Sequence, residues 1–332
     1  MPDRSVLSPT NVATAFLGGL AGAAVFAVLS RGTPGALLLS QLSPLPVMIV
    51  ALGLGAIHGA TAAIAGAVAV TAALGAVFGM SYGLLVALPA FAASYVALGA
   101  PLNRRDRVTR RFSSNAVTAL CVAVGGATIL FAGVNFFSHG ELDEPLGFVQ
   151  GMFFVEIEDQ LKEQKLDEAL SKAQIKQFVQ FAVPAMFAGA LVLLHAMNLW
   201  IAGRLTQISG MLQQRWPDIA REFELPRAVG IVFPVASLAT FLGGFAAEAA
   251  FVAAGVSGIA LALQGLAVTH FFLRESKAGV ATLALLYFVT GALVVPIFLF
   301  AILGLFDMGL HFRDRKLNQA MGERAGPDRT KA

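Results

Sequence analysis

The chain has 332 residues, of which 57% are hydrophobic and 13% are charged, and its mean hydropathy is +0.75. In soluble domains about a quarter of the residues are charged, so this composition excludes a water-soluble protein. The net charge of +3 comes from basic residues clustered beside apolar segments, which is typical of membrane orientation signals and not of a nucleic-acid surface. The single cysteine, Cys121, excludes an internal disulfide and a cysteine metal cluster.

The longest uncharged stretch runs from residue 32 to residue 103 and contains no Asp, Glu, Lys or Arg. One helical crossing of a bilayer needs about 20 apolar residues, so this stretch alone can supply three crossings joined by uncharged turns. The chain is therefore predicted to be a polytopic membrane protein. The predicted crossings of this half are residues 11–30, 34–54, 62–80, 81–99 and 115–137, with a tight turn at 55–58.

The first predicted crossing carries a face of small residues spaced four apart. Its members are Thr14, Ala15, Gly18, Gly19, Gly22 and Ala23. Such a face lets another helix backbone approach closely. Two interpretations follow, because the face can pack against the protein's own next helix or can dock a separate membrane partner.

The distribution of charge predicts the orientation of the chain in the membrane. One short loop contains five arginines, Arg104, Arg105, Arg107, Arg110 and Arg111. The positive-inside rule places this loop in the cytoplasm, and the four crossings before it place the N-terminus there too. Residues 137–177 follow on the outside, where acidic residues and helical Glu–Lys spacings predict an external amphipathic helix.

The second half is predicted to contain crossings at residues 178–203, 228–242, 249–272 and 279–310, with a cytoplasmic loop at 204–227. Nine crossings would leave the basic residues Arg313, Arg315 and Lys316 outside, against the positive-inside rule. Either the final segment, which has Pro296 in its middle, breaks and returns, or one earlier segment does not cross. The polar residues 313–332 are predicted to form a disordered tail.

Polar residues at membrane depth are costly, so each one is a candidate functional residue. The candidates are His195, Asn198, Glu248, Gln264, His270 and Asp307. Polar side chains also join membrane helices to one another, and we favour such structural or interfacial roles for each residue taken alone. Together they form no recognisable catalytic or metal-binding motif, and no cofactor is expected. The chain has no HExxH zinc motif and no GxxxxGK phosphate loop, so it has no ATPase of its own.

One short motif matches an enzyme signature. Residues 255–258 read Gly-Val-Ser-Gly, the GxSG of rhomboid intramembrane proteases, whose serine needs a histidine within hydrogen-bond reach. His270 follows Ser257 on the same predicted helix, about 20 Å further along at 1.5 Å per residue. We interpret the motif as helix packing and predict that the protein is not an enzyme.

The C-terminal third resembles a known family through several short motifs. They are Leu263-Gln264-Gly265-Leu266-Ala267 with His270, Gly304-Leu305-Phe306-Asp307, Phe312-Arg313, and Asn198-Leu199-Trp200 before the Arg204 loop. These resemble the YybS-like membrane proteins of bacteria, a family of unknown function, over nearly the whole chain. That family's pattern has an aromatic and an acidic residue between Asp307 and Phe312, where this chain has Met308, Gly309, Leu310 and His311.

The first half, residues 1–136, is similar in pattern to the substrate-binding S components of energy-coupling-factor transporters. The similarity lies in a small-residue first helix, a short second segment with prolines and a glycine-rich third. It implies that the first helix docks a transmembrane coupling protein driven by separate ATPases, and that a vitamin-like solute binds from outside. The rod-shape protein MreD, a scaffold, is similar in the same coarse way.

These observations together predict an all-α bundle of about eight or nine transmembrane segments in the bacterial inner membrane. Membrane helices are expected at residues 1–136 and 178–312. The leading hypothesis is a solute-binding or transport-related subunit that binds a small molecule among its first six helices. The alternative is a non-transporting envelope scaffold. The first predicts an enclosed cavity of a few hundred Å³ with convergent polar groups, and the second predicts close-packed helices with an exposed docking face.

Overall fold

The computed structural model describes residues 8–98, 110–137, 172–212, 216–274, 276–293 and 295–325. Every regular element within these ranges is a helix, and none is a strand. Seven helical segments are long and apolar enough to cross a membrane, or eight if the bent final pair is counted as one span. The prediction of an all-α polytopic bundle is therefore confirmed. The predicted external acidic loop lies outside the described residues, apart from its last positions, where a long helix begins at Lys172.

The helices are numbered here in chain order. Those before the arginine loop are α1 (Pro9–Ala27), α2 (Pro34–Ser40), α3 (Leu45–Leu54), α4 (Ala56–Leu74), α5 (Ala76–Tyr82) and α6 (Leu88–Leu98). Those after it are α7 (Arg110–Phe137), α8 (Lys172–Ile208), α9 (Ile219–Glu222), α10 (Arg227–Ala239), α11 (Gly244–Leu273), α12 (Gly279–Ala292), α13 (Val295–Leu310) and α14 (Phe312–Ala325). A π-helical turn, Gly83–Ala87, joins α5 to α6.

Local chemistry explains where the first helices begin and end. The hydroxyl of Ser8 accepts the amide hydrogen of Asn11 to cap α1, and Thr33 caps α2 in the same way. Gly55 and Gly75 take positive φ angles of 103° and 97° and separate α3, α4 and α5. The third and fourth crossings were predicted to meet at residues 80 and 81, which is wrong because the break is at Gly75.

The small-residue face of α1 packs inside the protein. An added Cβ at Gly18 would lie 2.5 Å from Cγ2 of Val50 on α3, and one at Gly19 would collide with the backbone of Ala62 on α4. An added Cβ at Gly22 would lie 2.7 Å from the hydroxyl of Tyr82. These three glycines therefore pack against the protein's own helices, as one of the two interpretations proposed. Their neighbours are α3, α4 and α5, and not the next helix alone.

Within that face Ala15 and Ala23 are buried, whereas Thr14 is exposed. The hydroxyl of Thr14 donates to the carbonyl oxygen of Thr10 in its own helix. Of the six residues singled out, Thr14 is thus the one that stays on the outer surface of α1.

The second half is built around α8 and α11, which run side by side in the same direction. The register is fixed by close approaches, since an added Cβ at Gly255 would lie 2.7 Å from the carbonyl oxygen of Ala185, and one at Gly189 would lie 3.0 Å from Ile259. In sequence, α10 lies between α8 and α11 and runs in the opposite direction to both. Gly243 and Gly244, with φ angles of 81° and 57°, make the turn from α10 into α11.

The last apolar segment is broken, as one of the two sequence-based alternatives expected. Helices α12 and α13 meet at an angle of 119°. The chain then returns to the end of α11, where Arg313 donates to the carbonyl oxygen of Ala220, and the ammonium group of Lys316 lies 5.5 Å and 5.2 Å from the ring centres of Phe271 and Phe272.

The prediction of a disordered tail from residue 313 needs correction, because residues up to Ala325 belong to α14. The signal for disorder was the polar composition. That composition did not account for the buried contacts of Arg313 or for the contact of Lys316 with the phenylalanine rings, which anchor the start of the helix to the bundle.

Candidate functional site

A groove with a volume of about 710 Å³ lies where α8 and α11 approach their C-terminal ends. The first turns of α7, the segment 216–223 and Tyr287 of α12 complete its walls. The floor is apolar and includes Ala116, Val117, Ala196, Leu263, Leu266 and Ala267. The walls therefore come from the fifth and sixth predicted crossings, the predicted loop 204–227 and the C-terminal third, and no described residue of the first four crossings lines the groove.

The groove is open along one side, in contrast to the enclosed cavity expected for a solute site. Leu193, Met197, Trp200 and Tyr287 line it and keep between 40% and 49% of their surfaces exposed. Exposed apolar residues on a membrane helix face the hydrocarbon of the lipid. The opening is thus lateral, toward the bilayer.

The segment after α8 closes the end of the groove. Gly210 has a φ of 68° and turns the chain back, and the carbonyl oxygen of Thr206 accepts the amides of Met211 and Leu212. The indole of Trp216 then lies against Gly203, where any side chain larger than hydrogen would collide with it. The predicted loop 204–227 is therefore a packed segment with Trp216 buried and one short helix, α9.

An ion pair ties this segment to the end of α11. The guanidinium of Arg274 donates to both carboxylate oxygens of Asp218, at 2.6 Å and 3.1 Å. Burial acts to raise the pKa of Asp218, but the hydrogen bond and charge of Arg274 outweigh burial and hold that pKa below its ordinary value. The pair stays ionised at neutral pH and fixes one rim of the groove.

A second arginine stands on the opposite wall. The guanidinium carbon of Arg204 lies 5.9 Å from the ring centre of Trp200, and its Nη1 donates to Oε1 of Gln207 at 3.2 Å. In the part of the chain that the structure describes, Arg204 has no acidic partner within ion-pair distance.

His270, one of the predicted polar candidates, does line the groove. Its Nε2 lies 2.6 Å from the hydroxyl of Tyr287, and this contact joins α11 to α12 at the rim. Both rings are partly exposed. His270 therefore lies at the rim of the groove.

Gln264 and Asp307 form a buried network behind the groove floor. The amide nitrogen of Gln264 donates to Oδ2 of Asp307 at 3.0 Å, and its amide oxygen accepts the backbone N–H of Leu225 at 2.9 Å. Arg313 donates to the same Oδ2 at 2.8 Å. The network links α11, α13, α14 and the segment before α10, so it supports the groove without lining it.

His195 and Asn198 lie on the other side of α8 and hold it against the first half of the protein. The Nδ2 of Asn198 donates to the carbonyl oxygen of Gln41 at 2.8 Å. The imidazole of His195 contacts the carbonyl oxygens of Leu191 at 2.8 Å and of Val86 at 3.4 Å, and Val86 belongs to the π-helical turn. A neutral imidazole has one N–H donor, and the shorter contact assigns it to Nδ1.

Glu248 lies far from the groove, near the N-terminal end of α11. It is buried, and its carboxylate has the side chain of Gln180 on α8 as a hydrogen-bond partner. The six polar candidates therefore fall in four separate places. They do not converge on a common site.

The serine of the GxSG motif makes its hydrogen bonds within its own helix. The hydroxyl of Ser257 donates to the carbonyl oxygen of Ala253 at 2.6 Å and contacts that of Ala254 at 3.2 Å. His270 points to Tyr287 from further along the same helix. No cluster of three or more metal-ligating side chains occurs among the described residues.

Sequence reasoning missed most of the groove's polar rim. It placed Arg204 and Asp218 in the predicted cytoplasmic loop 204–227 and named neither of them, nor Arg274, as a candidate site residue. One signal was available, since both tryptophans of the chain, Trp200 and Trp216, stand close to charged residues at the same predicted end of the bundle. Tryptophan with a cation at that depth is typical of the membrane interface.

The fold and its contacts define a multi-pass α-helical integral membrane protein. Residues 21–308 match the family described as predicted membrane protein DUF2232, and since this match covers most of the chain, the protein belongs to that family. No curated protein and no solved structure matches the chain.

Proposed function

We propose that the protein is a solute-binding or transport-related subunit of the bacterial inner membrane, non-enzymatic and without an ATPase of its own. The observation that supports this is the groove between α8 and α11. Its volume of about 710 Å³ falls within the range of about 300–1,000 Å³ that is usual for ligand sites. An apolar floor with polar groups converging at the rim is the arrangement that such sites share.

The similarity in pattern of the first half to energy-coupling-factor S components supports the same class of function, whereas the resemblance to YybS-like proteins assigns none. A subunit of this class relies on partners for energy, which agrees with the missing phosphate loop. The proposal includes an N-terminus in the cytoplasm and possible contacts with a transmembrane coupling protein. Docking on Gly18, Gly19 and Gly22 would require α3 and α4 to move, so the exposed side of α1 is the surface available to such a partner.

A membrane scaffold is the second candidate function. It is favoured by the packing of the first half, where the glycines of α1 lie against α3, α4 and α5 while Phe16 and Leu17 leave its other side exposed. In this case envelope proteins would be the partners, and the groove would hold ordinary lipid.

Mass spectrometry of small molecules that co-purify with the protein tests the proposal. The variant Ala196→Phe places a ring in the groove floor, and Ala190→Phe places the same ring on the exposed surface of α8 as a matched control. We expect a compound enriched over the bulk membrane extract in the wild type and in Ala190→Phe, and its loss from Ala196→Phe. Equal extracts from all three proteins would reject the binding function and favour the scaffold.

A further inference from the structure

We propose that the groove binds an anionic membrane lipid, which enters sideways from the leaflet at the end of the bundle that carries Arg204 and Arg274. This inference rests on the proposed binding function and names its ligand class. The juxtaposition that carries it is an apolar, laterally open floor beneath a rim with more positive than negative charge.

The shape of the groove favours a ligand that already resides in the bilayer. Leu193 and Met197 stand exposed on its open wall, and the floor consists of alanine, valine and leucine side chains. If a water-soluble solute occupied the groove, it would lie against this apolar floor and would also face lipid at the open side. A lipid acyl chain would fill the groove and remain in contact with the surrounding lipid hydrocarbon.

The apolar floor by itself confers little selectivity. Lipid tails are as apolar as leucine, so a chain gains no hydrophobic free energy by moving from the bulk lipid into the groove. Discrimination between lipids must therefore come from the headgroup. The residues that can contact a headgroup are those of the rim, chiefly Arg204, Asp218 and Arg274.

The charge of the rim selects an anion. Among the described residues that line the groove, two arginines stand against one aspartate, and Asp218 is already held by both terminal nitrogens of Arg274. Arg204 is exposed and is held beside the ring of Trp200. A guanidinium presents a planar fork of donors that fits phosphate oxygens. A phosphate or phosphodiester headgroup without a balancing cation is therefore the ligand that this rim fits.

Aromatic side chains mark the depth at which such a headgroup would lie. Trp200 and Tyr287 line the groove at its exposed side, and Tyr287 is bonded to His270. Tryptophan and tyrosine are enriched at the level of lipid headgroups. The arginines at the same level would meet the phosphate while the acyl chain extends along the floor.

Tryptophan fluorescence gives a readout confined to this site, because the only two tryptophans of the chain, Trp200 and Trp216, both line the groove. The protein would be reconstituted into phosphatidylcholine vesicles that contain a small fraction of brominated phosphatidylglycerol or brominated phosphatidylcholine as quencher. We expect stronger quenching by the anionic lipid. The variant Arg204→Gln should weaken that preference roughly fivefold, as expected for one basic residue at a membrane surface.

Two further variants and one competitor make the test decisive. Arg204→Lys should keep the preference, and Arg31→Gln, which removes the same charge at the far end of α1 outside the groove, should leave it unchanged. Equal quenching by the two brominated lipids would overturn the inference, and so would an equal loss in Arg31→Gln. Abolition of the preference by inorganic phosphate would indicate a free-anion site and would also overturn it.

The two proposals fail in different ways. If the lipids quench equally while a different compound is lost from Ala196→Phe, the binding function stands and only the lipid inference is wrong. If the lipids quench equally and no compound depends on the groove, both are wrong.

Discussion

At the scale of single residues, Asp307 and Arg313 form a buried ion pair. Asp307 is 3% exposed and Arg313 is 6% exposed. The Oδ2 of Asp307 accepts hydrogen bonds from both Arg313 and the side-chain amide of Gln264. Within the described residues, Oδ1 of Asp307 has no hydrogen-bond partner. A buried ion pair contributes little net stability over an apolar pair, but removing one partner leaves the other buried and uncompensated.

We therefore predict that Asp307→Asn and Arg313→Met each lower the free energy of unfolding by about 3–5 kcal/mol. The double variant should lose clearly less than the sum of the two, because neither charge then remains unpaired. Thermal unfolding in detergent would measure the three variants as a cycle. Arg315→Met, an exposed arginine of the same helix, serves as the control and should unfold like the wild type.

Strictly additive losses in this cycle would show that the two charges do not depend on each other. Asp307 was predicted from the sequence as a costly polar residue, whereas Arg313 was noted as an orientation signal and as part of a family motif, and not as a buried ion-pair partner. The reason is that a charge next to a membrane segment looks the same in sequence whether it faces water or a buried carboxylate.

Among elements, the crossing of α11 and α13 depends on two glycines. Gly265 lies against the backbone of Phe300, and Gly304 lies against the backbone of Leu261. An added Cβ at either position would collide with a carbonyl oxygen. Backbone-to-backbone contact of this kind is how membrane helices gain packing energy without a hydrophobic driving force.

The variant Gly265→Ala is expected to destabilise the protein by about 1–3 kcal/mol, since an overpacked contact forces the two backbones apart. Gly291→Ala on α12 is the matched control, because an added Cβ there meets no atom within 4 Å. The control variant Gly291→Ala should leave the free energy of unfolding unchanged or raise it by up to about 1 kcal/mol. Thermal unfolding of both variants would check this, and an equal fall in midpoint would contradict the packing argument.

For the whole molecule, four basic residues of the second half lie at the same end. Arg204 and Arg274 stand at the groove rim, and Arg313 and Lys316 contact the same end through Ala220, Phe271 and Phe272. The return of the chain at the bend between α12 and α13 makes this possible. It removes the conflict with the positive-inside rule that nine full crossings would create.

Cysteine labelling would test this topology in intact cells. In a Cys121→Ala background, we expect Ser276→Cys and Asn318→Cys to react with a membrane-impermeant maleimide from the same side. Ser30→Cys, at the end of α1, should react from the other side. All three native residues are exposed. Labelling of Asn318→Cys from the side of Ser30→Cys would mean that α12 and α13 cross the membrane as one span.

The sequence by itself determined the class of protein, the helical architecture and most of the membrane segments. These follow from composition and from the length of apolar runs, which are local properties that a bilayer converts directly into helices. It also singled out Gln264, His270 and Asp307 as polar candidates, and each of them has a side-chain hydrogen-bond partner in the structure.

The tertiary structure alone decided which partners those are and where a ligand could bind. The packing of α1 against α3 and α4, the return of α13 and the groove beside Trp216 each join residues that are far apart in sequence. Long-range pairing of this kind depends on how helices fit side by side, with glycines permitting close approach and arginines finding carboxylates. A single sequence does not record which helix will be the neighbour of which.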